Sequence, residues 1–264
     1  MGVMYMKVKI GCCGFPVSRK KYYETFSIVE VQQTFYKLPA ESTVRRWREE
    51  APKDFEFTVK AWQIVTHHPK SPTWKKAGIS IDPSEQEYYG LLRPTKQNFE
   101  AWEKFMNVVK ILGSRVIIVQ SPPSLGYSQE NFRNVLEFFG YIRKKYPDYI
   151  IGWEPRGTWK ENVDKIKKIV EKTGILHVVD PFKMKPVLLN TNTCYFRLHG
   201  IGPKEVNYRY KYTEEDFKKL VNVLEEIVEK GIEVCYIMFN NIYMFDDALR
   251  FKEYLEKHTD FEVL

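Results

Sequence analysis

The chain has 264 residues, 44% of them hydrophobic and 15% aromatic, enough to bury the core of one large barrel domain or of two small domains. Lys and Arg outnumber Asp and Glu by 41 to 34, a net charge of +7. This excess suits an anionic partner such as a phosphate ester or nucleic acid, and a solvated Lys/Glu surface explains it equally well. No run approaches the roughly 18 apolar residues of a membrane helix, so no membrane span is expected.

Eight short apolar runs, most of them rich in Val, Ile, Phe and Tyr, predict eight β-strands. Several, such as VIIVQ and YIIGW, are almost continuously apolar, which is typical of parallel strands covered on both faces. The opening segment, MGVMYMKVKIG, predicts the start of a strand rather than a signal peptide. In chain order the runs are Val8–Gly11, Ile28–Gln32, Phe55–Lys60, Val116–Gln120, Tyr149–Glu154, Leu176–Asp180, Tyr195–His199 and Val234–Asn240.

Amphipathic helical patterns separate many of these runs. The pattern Thr213–Lys230 has Asp216 three residues after its first threonine and Gly231 after its last residue, a capping-box-like start and a glycine stop. The other predicted helices are Thr43–Glu50, Asn98–Leu112, Gln129–Lys145, Trp159–Lys172 and Met244–Lys257.

Two connections depart from the strand–helix alternation. PFKMKPVLLNTNT, before the seventh strand, carries two prolines and no clear helix, and the stretch from about His67 to Gln97 is long enough to wall or cover a site. No GxGxxG or GxxxxGK[ST] follows a strand, which argues against open nucleotide-binding sheets. We therefore predict an α/β protein with a single domain, residues 1–264: a (β/α)₈ TIM-type barrel with a degenerate sixth helix and a long third βα loop.

Polar and charged residues gather where the predicted strands end, the edge at which barrels of this type build active sites. Ordinary strand exits favour Gly, Ser, Asn and Asp, so a set that includes Lys, Glu, Arg and His indicates a site. The candidate catalytic residues are Lys60, Glu154, Asp180 and His199, and the candidate substrate-binding residues at strand ends are Gln120, Arg156, Arg197 and Asn240.

Each of these residue types has a chemical task and a structural alternative. The carboxylates and the imidazole suit proton transfer or metal binding, the three basic side chains suit an anion, and the two amides suit a substrate hydroxyl or amide. The alternative is that Glu154 pairs locally with Arg156, and that Arg197 pairs with Glu30 or Asp180 inside the barrel.

No cofactor is predicted, although a single divalent metal on Glu154, Asp180 and His199 is an alternative. The adjacent Cys12 and Cys13 would suit a nucleophile, but small residues that permit a tight turn are the favoured interpretation. The four cysteines form no CxxC pair, and a reduced cytoplasmic setting is expected. Abundant Lys, Glu and Tyr would also fit a thermophilic source.

The segment after the seventh strand, GIGPKEVNYRYKYTEEDF, alternates basic residues with tyrosines. The seventh and eighth loops of barrels often bind phosphate, and basic–aromatic alternation also suits a nucleic-acid strand. Tyr210 is therefore a candidate substrate-binding residue. The alternative is an extended loop that packs its tyrosines.

Nearly the whole chain, from about Ile10 to Arg250, resembles the domain of unknown function 72 family (YecE-like proteins). The matching pieces, in order, are IGCCGF, VEVQQTFYKLP, FEFTVKA followed by THH, VQSPPS, WEPRGTW, VVDPF, YFRLHG, and FNN with DDALR. The resemblance implies a TIM-type barrel but no reaction. It also implies a shared polar pocket that includes Glu30, Tyr36, Lys60, His67, Gln120, Glu154, Arg156, Asp180, Arg197, His199 and Asn240, which adds Tyr36 and His67 to the candidate substrate-binding residues.

The chain departs from the pattern of this family at three places. Family members commonly have Asn where this chain has Gln32, Trp where it has Phe15, and Glu-Phe-Arg where it has Glu154-Pro155-Arg156. These departures leave the pocket in place and put its shape in doubt.

Three functions are compatible with these residues. The first is a hydrolase or lyase acting on an anionic, phosphate-containing substrate, including the phosphodiester of a nucleic acid. The second is a sugar or sugar-phosphate isomerase or lyase, in which Lys60 polarises a carbonyl or forms a Schiff base. The third is a non-catalytic protein that binds nucleic acid or a metabolite. The sequence leaves the oligomeric state open.

Overall fold

The computed structural model of the protein describes residues 6–264, so the first five residues of the opening segment, and with them the expectation about a signal peptide, lie outside the described residues. Eight strands follow one another along the chain, and every pairing between them is parallel, as the near-continuous apolar runs predict. They are β1 (Lys7–Cys13), β2 (Ile28–Val31), β3 (Glu56–Lys60), β4 (Val116–Gln120), β5 (Ile150–Glu154), β6 (Leu176–His177), β7 (Thr193–Leu198) and β8 (Val234–Phe239).

Helices alternate with the strands, and the α/β class and the (β/α)₈ TIM-type barrel are confirmed. The predicted helix Gln129–Lys145 has those bounds in the structure, and the others differ by a few residues at their ends. The helices are α1 (Arg19–Tyr23), α2 (Gln33–Tyr36), α3 (Glu41–Glu50), α4 (Pro72–Lys76), α5 (Lys96–Leu112), α6 (Gln129–Lys145), α7 (Val163–Thr173), α8 (Glu214–Val228) and α9 (Met244–His258).

The described chain divides into two compact units. Unit 1 comprises residues 6–30, 52–56 and 176–264, and unit 2 comprises residues 31–51 and 57–175. In unit 1, β1 pairs with β2 and β8, β8 also pairs with β7, and a short terminal strand, β9 (Glu262–Val263), pairs with β1. In unit 2, β4 pairs with both β3 and β5. The single domain over residues 1–264 stays a prediction.

Four local expectations are refined. The turn predicted at Cys12 and Cys13 is wrong, because β1 continues through both residues and buries them. The sixth strand is shorter than predicted, and its pairing with β7 continues as an isolated bridge at Val179. A 3₁₀ turn, Gly157–Glu161, precedes α7 where one helix was expected. The long third loop contains α4 and a second 3₁₀ turn.

The degenerate sixth helix is confirmed, since residues 178–192, all within the described part of the chain, contain no helix. Among the described residues, none of the helices combines the length and the apolar character needed to cross a membrane.

The predicted capping box at the start of α8 is present. The Thr213 hydroxyl accepts the Asp216 amide at 3.3 Å, while the Asp216 carboxylate accepts the Thr213 amide at 2.9 Å. Thr213→Ala removes one of these caps and should lower the free energy of unfolding by about 1 kcal/mol. Urea denaturation measures the change, and Thr213→Ser, which keeps the hydroxyl, should lie close to the wild type. Equal losses in the two variants would contradict the capping role.

Candidate functional site

Two buried tryptophans fix the end of β5 in unit 2. The Trp153 indole donates to the Ser121 hydroxyl and the Trp159 indole donates to the Leu125 carbonyl, each at 2.7 Å. The two rings meet edge to face with centroids 4.9 Å apart. Both indole N–H groups are therefore satisfied inside the core, and the Glu-Pro-Arg segment between the tryptophans is held against the segment that follows β4.

Glu154 and Arg156 form the local ion pair that the sequence left as an alternative. Arg156 donates from Nε (3.0 Å) and Nη2 (2.7 Å) to the same carboxylate oxygen of Glu154, and both side chains are buried. Gln120, half-buried at the end of β4, lies directly opposite Glu154 in the parallel register. The predicted residues of these two strands are thus neighbours.

A second cluster in unit 2 surrounds the ring of Phe35. The Lys60 ammonium lies 4.1 Å from the centroid of this ring, and the His67 imidazole meets the ring edge to face at 5.0 Å. The Thr34 hydroxyl donates to the Lys60 carbonyl at 2.7 Å and so ties α2 to the end of β3. Lys60 and His67 are both buried, so Phe35 holds a cation and an imidazole together away from water.

His67 lies in a positive electrostatic field. Burial, followed by the charges of Lys60 and Arg156, lowers the pKa of its imidazole from the ordinary 6.5 to about 3. The ring is therefore neutral at pH 7. A hydrogen bond of 2.8 Å joins its Nδ1 to the Thr66 hydroxyl. The lowered pKa links His67, Lys60 and Arg156 electrostatically within unit 2.

Tyr36 differs from the other candidates in unit 2 because the residue is 40% exposed. Its ring meets Phe35 edge to face at 5.0 Å, and the Lys76 ammonium of α4 lies 5.6 Å from its centroid. The resemblance supplied Tyr36 as a candidate, whereas no sequence pattern indicated Lys76.

In unit 1, Arg197 of β7 is fully buried against Glu30 of β2. Its Nε and Nη2 donate to the two carboxylate oxygens at 3.0 and 2.8 Å, and the Tyr195 hydroxyl donates to the same carboxylate at 2.8 Å. This bidentate pair is the one that the sequence left open as an alternative to anion binding by Arg197. The sequence signal for this ion pair was a charged residue inside each of two apolar strands.

Asp180, His199 and Asn240 also lie together in unit 1. The two carboxylate oxygens of Asp180 accept the amides of Phe182 at 3.0 Å and His199 at 2.9 Å, so this side chain ties the end of the sixth strand to the end of the seventh. The Asn240 amide nitrogen lies 3.1 Å from His199 Nδ1. An amide nitrogen can only donate, so this contact is a hydrogen bond when Nδ1 carries no proton.

The seventh loop packs most of its tyrosines. Tyr212 is buried and its hydroxyl accepts the Gly200 amide at 2.8 Å, whereas the Tyr210 hydroxyl donates to Asp216 at 2.7 Å. Gly200 has a φ of 82°, and a Cβ there would lie 2.1 Å from the Asn207 carbonyl oxygen, so the sharp turn after His199 requires glycine. Tyr208, whose ring lies 6.1 Å from that of His199, is 45% exposed and is the most exposed of these tyrosines.

Asp247, which the sequence did not single out as a functional residue, anchors this loop. Its buried carboxylate accepts the Asn241 amide at 2.7 Å and the Tyr212 backbone N–H at 3.3 Å, and Arg250 donates to it at 3.3 Å. Burial raises the pKa of Asp247. The DDALR motif thus has a structural role. The only hint of this role in the sequence was the charge of the motif at the start of a helix.

All four cysteines are buried, and burial raises the pKa of Cys12 strongly, which disfavours the thiolate that a nucleophile needs. Cys194 and Cys235 lie opposite each other in β7 and β8. Within residues 6–264, no group of three His, Cys, Asp or Glu side chains is arranged to hold a metal ion. The geometry therefore gives no support to the alternative of a single divalent metal on Glu154, Asp180 and His199.

The structure thus brings the candidate residues together as two groups, one within each unit. The group of unit 2 contains Tyr36, Lys60, His67, Gln120, Glu154 and Arg156, and the group of unit 1 contains Asp180, Arg197, His199, Tyr210 and Asn240.

Known proteins resemble the chain over almost its whole length. The family described as "Protein of unknown function DUF72" matches residues 18–262. The UPF0759 protein YunF of Bacillus subtilis is 25% identical over 271 aligned positions, which cover 90% of this chain and 86% of the relative.

Two solved structures share the fold. A DUF72 family protein from Enterococcus faecalis superposes with a TM-score of 0.69 at 20% identity, over 96% of this chain and 98% of the other. A DUF72 family protein from Thermotoga maritima superposes with a TM-score of 0.68 at 24% identity, over 95% of this chain and 100% of the other. At these identities the likeness concerns the fold alone.

Proposed function

The chain belongs to the DUF72 family, whose name states no reaction, and we propose that the protein is an enzyme that binds a phosphate-containing anion at the carboxyl ends of its strands. The observation that carries the proposal is the positive field at His67 in unit 2, where Lys60 and Arg156 add to burial in lowering the imidazole pKa to about 3. An anion is the ligand that such a field attracts.

The residues of this cluster have separate tasks in the proposal. Lys60 supplies a buried ammonium, and the neutral His67 supplies a hydrogen-bonding nitrogen beside it. Glu154 holds the Arg156 guanidinium in a fixed orientation through two hydrogen bonds. Because these side chains are buried, each contact with an anion is stronger than it would be in water.

For the group in unit 1 we propose proton transfer by His199. In this proposal the Asn240 amide donates to Nδ1, which orients the ring and places its proton on Nε2, while the Asp180 carboxylate fixes the backbone at His199. A histidine with a defined tautomer is suited to general acid or base chemistry. Asp180, with both oxygens on backbone amides, acts in this proposal by positioning His199.

Narrower statements about the substrate stay predictions. A nucleic-acid phosphodiester is one phosphate-containing candidate, but two tyrosines of the seventh loop pack rather than present their rings for stacking. The sugar isomerase or lyase and the non-catalytic binding protein are the other hypotheses. Borohydride trapping of a carbonyl compound on Lys60 would favour the first of these.

Titration of inorganic phosphate by calorimetry at low ionic strength tests the proposed site. Lys60→Met keeps most of the side-chain length and removes the charge, and we expect it to weaken phosphate binding at least about tenfold, as loss of a charged hydrogen bond does. Lys53→Met, the same change at an exposed position, should leave the affinity unchanged. An equal affinity in Lys60→Met and the wild type would contradict the proposal.

A further inference from the structure

We infer that the exposed face of Tyr36 is a subsite for a planar aromatic ring carried by the phosphate-containing ligand, with Lys76 closing over that ring. The inference rests on the proposed function, since it names the class of ligand that the anion site of unit 2 would take: an aryl or heteroaryl phosphate.

Tyr36 lies beside the proposed anion site and is exposed, unlike its neighbours. The ring of Phe35 is the shared contact: its centroid lies 5.0 Å from the Tyr36 ring, 5.0 Å from the His67 ring and 4.1 Å from the Lys60 ammonium. Phe35, His67 and Lys60 are buried, whereas Tyr36 is 40% exposed. In this proposal the phosphate of a small ester lies at Lys60 and its ring lies on the exposed Tyr36, the two residues that both contact Phe35.

The Lys76 ammonium sets the opening above the ring. It lies 5.6 Å from the Tyr36 centroid, near the outer limit of about 6 Å for a cation–π contact. A planar ring at a spacing of about 3.5 Å from each group would need a gap of about 7 Å. The exposed lysine side chain has to move outward only slightly, and its charge then lies over the ring of the ligand.

The segment that carries Lys76 is well anchored, so the subsite is largely formed before a ligand arrives. Trp74 of α4 is buried and meets Tyr89 edge to face at 6.1 Å. The buried Gln63 amide donates to the Thr73 carbonyl at 3.3 Å and to the Tyr36 carbonyl at 3.1 Å. One side chain thereby ties α4 to the end of α2, the two elements that bear the lysine and the tyrosine.

A planar ring is favoured over an aliphatic group of the same size because of the electrostatics of the Tyr36 ring and the Lys76 ammonium. Aromatic pairs are stabilised beyond the area that they bury, and an ammonium adds attraction for a π face only. Phenyl phosphate and cyclohexyl phosphate present this contrast, because both carry the same phosphate and rings of similar volume.

The test measures the affinities of inorganic phosphate, phenyl phosphate and cyclohexyl phosphate by calorimetry for the full chain. We expect phenyl phosphate to bind about two- to tenfold more tightly than cyclohexyl phosphate. Tyr36→Leu should abolish this preference, Lys76→Met should reduce it and Tyr36→Phe should keep it. Tyr141→Leu, at a tyrosine of similar exposure (41%) on α6, is the matched control and should also keep it.

Each outcome decides between the two proposals. Equal binding of the two esters to the wild type, or a preference that survives in Tyr36→Leu, overturns the ring subsite while the phosphate site stands, provided that Lys60→Met still weakens inorganic phosphate. Absence of binding by all three compounds overturns the phosphate site and the ring subsite together. Retained binding of inorganic phosphate to Tyr36→Leu shows that this variant is folded. Its lost preference for phenyl phosphate then concerns the ring subsite alone.

Discussion

Replacing Arg197 by methionine should lower the free energy of unfolding by about 3–5 kcal/mol, the largest effect expected of any single substitution proposed for this chain. The guanidinium and the Glu30 carboxylate are both fully inaccessible to solvent, and two hydrogen bonds of 2.8 and 3.0 Å join them. Removal of the cation leaves a carboxylate in the core, where it can neither return to water nor keep its bidentate donor. Urea denaturation at pH 7 measures the loss.

A double substitution separates this structural role from ligand binding. Replacing a buried ion pair with apolar residues is much less costly than breaking it, so Glu30→Leu combined with Arg197→Met should recover a large part of the loss. The Tyr195 hydroxyl, which loses its acceptor in the double variant, sets a limit to that recovery. A loss below about 1 kcal/mol in Arg197→Met would contradict the structural role and favour anion binding by Arg197.

Lowering the pH from 7 to 5 should destabilise the protein by about 2 kcal/mol through His67 alone. Its pKa is about 3 in the folded chain against 6.5 ordinarily, so as the pH falls the unfolded chain takes up the proton first. The stabilising contribution of the neutral imidazole is therefore fully present above about pH 6.5, decreases below it, and continues to decrease until the pH reaches about 3.

Other groups also titrate in this range, so the test is a difference between variants. His67→Gln should lose about 2 kcal/mol less than the wild type between pH 7 and pH 5, measured from urea denaturation at both values. His258→Gln removes an exposed histidine and serves as the matched control. If the wild type and His67→Gln show the same pH dependence, the imidazole is not held neutral by burial and its cationic neighbours.

Much of the fold could be predicted because its signals are local. The apolar runs of the strands and the three- and four-residue spacing of the helices follow from which faces are buried, and the capping box of α8 lies within four residues of sequence. The shortened β6 and the two small helical segments in the third loop could not be predicted, because pairing with β7 and the burial of Trp74 depend on residues distant in the chain.

The candidate site was less predictable, because it depends on which side chains meet. Its residues could be placed at strand ends, and Glu154 and Arg156 are close enough in sequence for a local pair to be foreseen. The partner of Arg197 lies 167 residues away and was one of two alternatives. Lys76 lies in a loop without periodicity and carries no sequence signal. Asp247 acts partly through a backbone group of another loop, so its charge at the start of a helix gave only a hint of its role.

The pairing of β1 with β8 has a consequence for how the chain is made. Lys9 and Tyr236 are opposite residues in this pair but lie 227 positions apart. As the ribosome extends the chain, β1 can pair with β2 early, yet its other edge has to wait until β8 has emerged. Unit 2 holds the paired residues of β3, β4 and β5 within residues 58–154, so those pairs can form during translation. Completion of the unit 1 sheet has to wait for β8, and until then the unpaired edge of β1 is exposed to wrong partners.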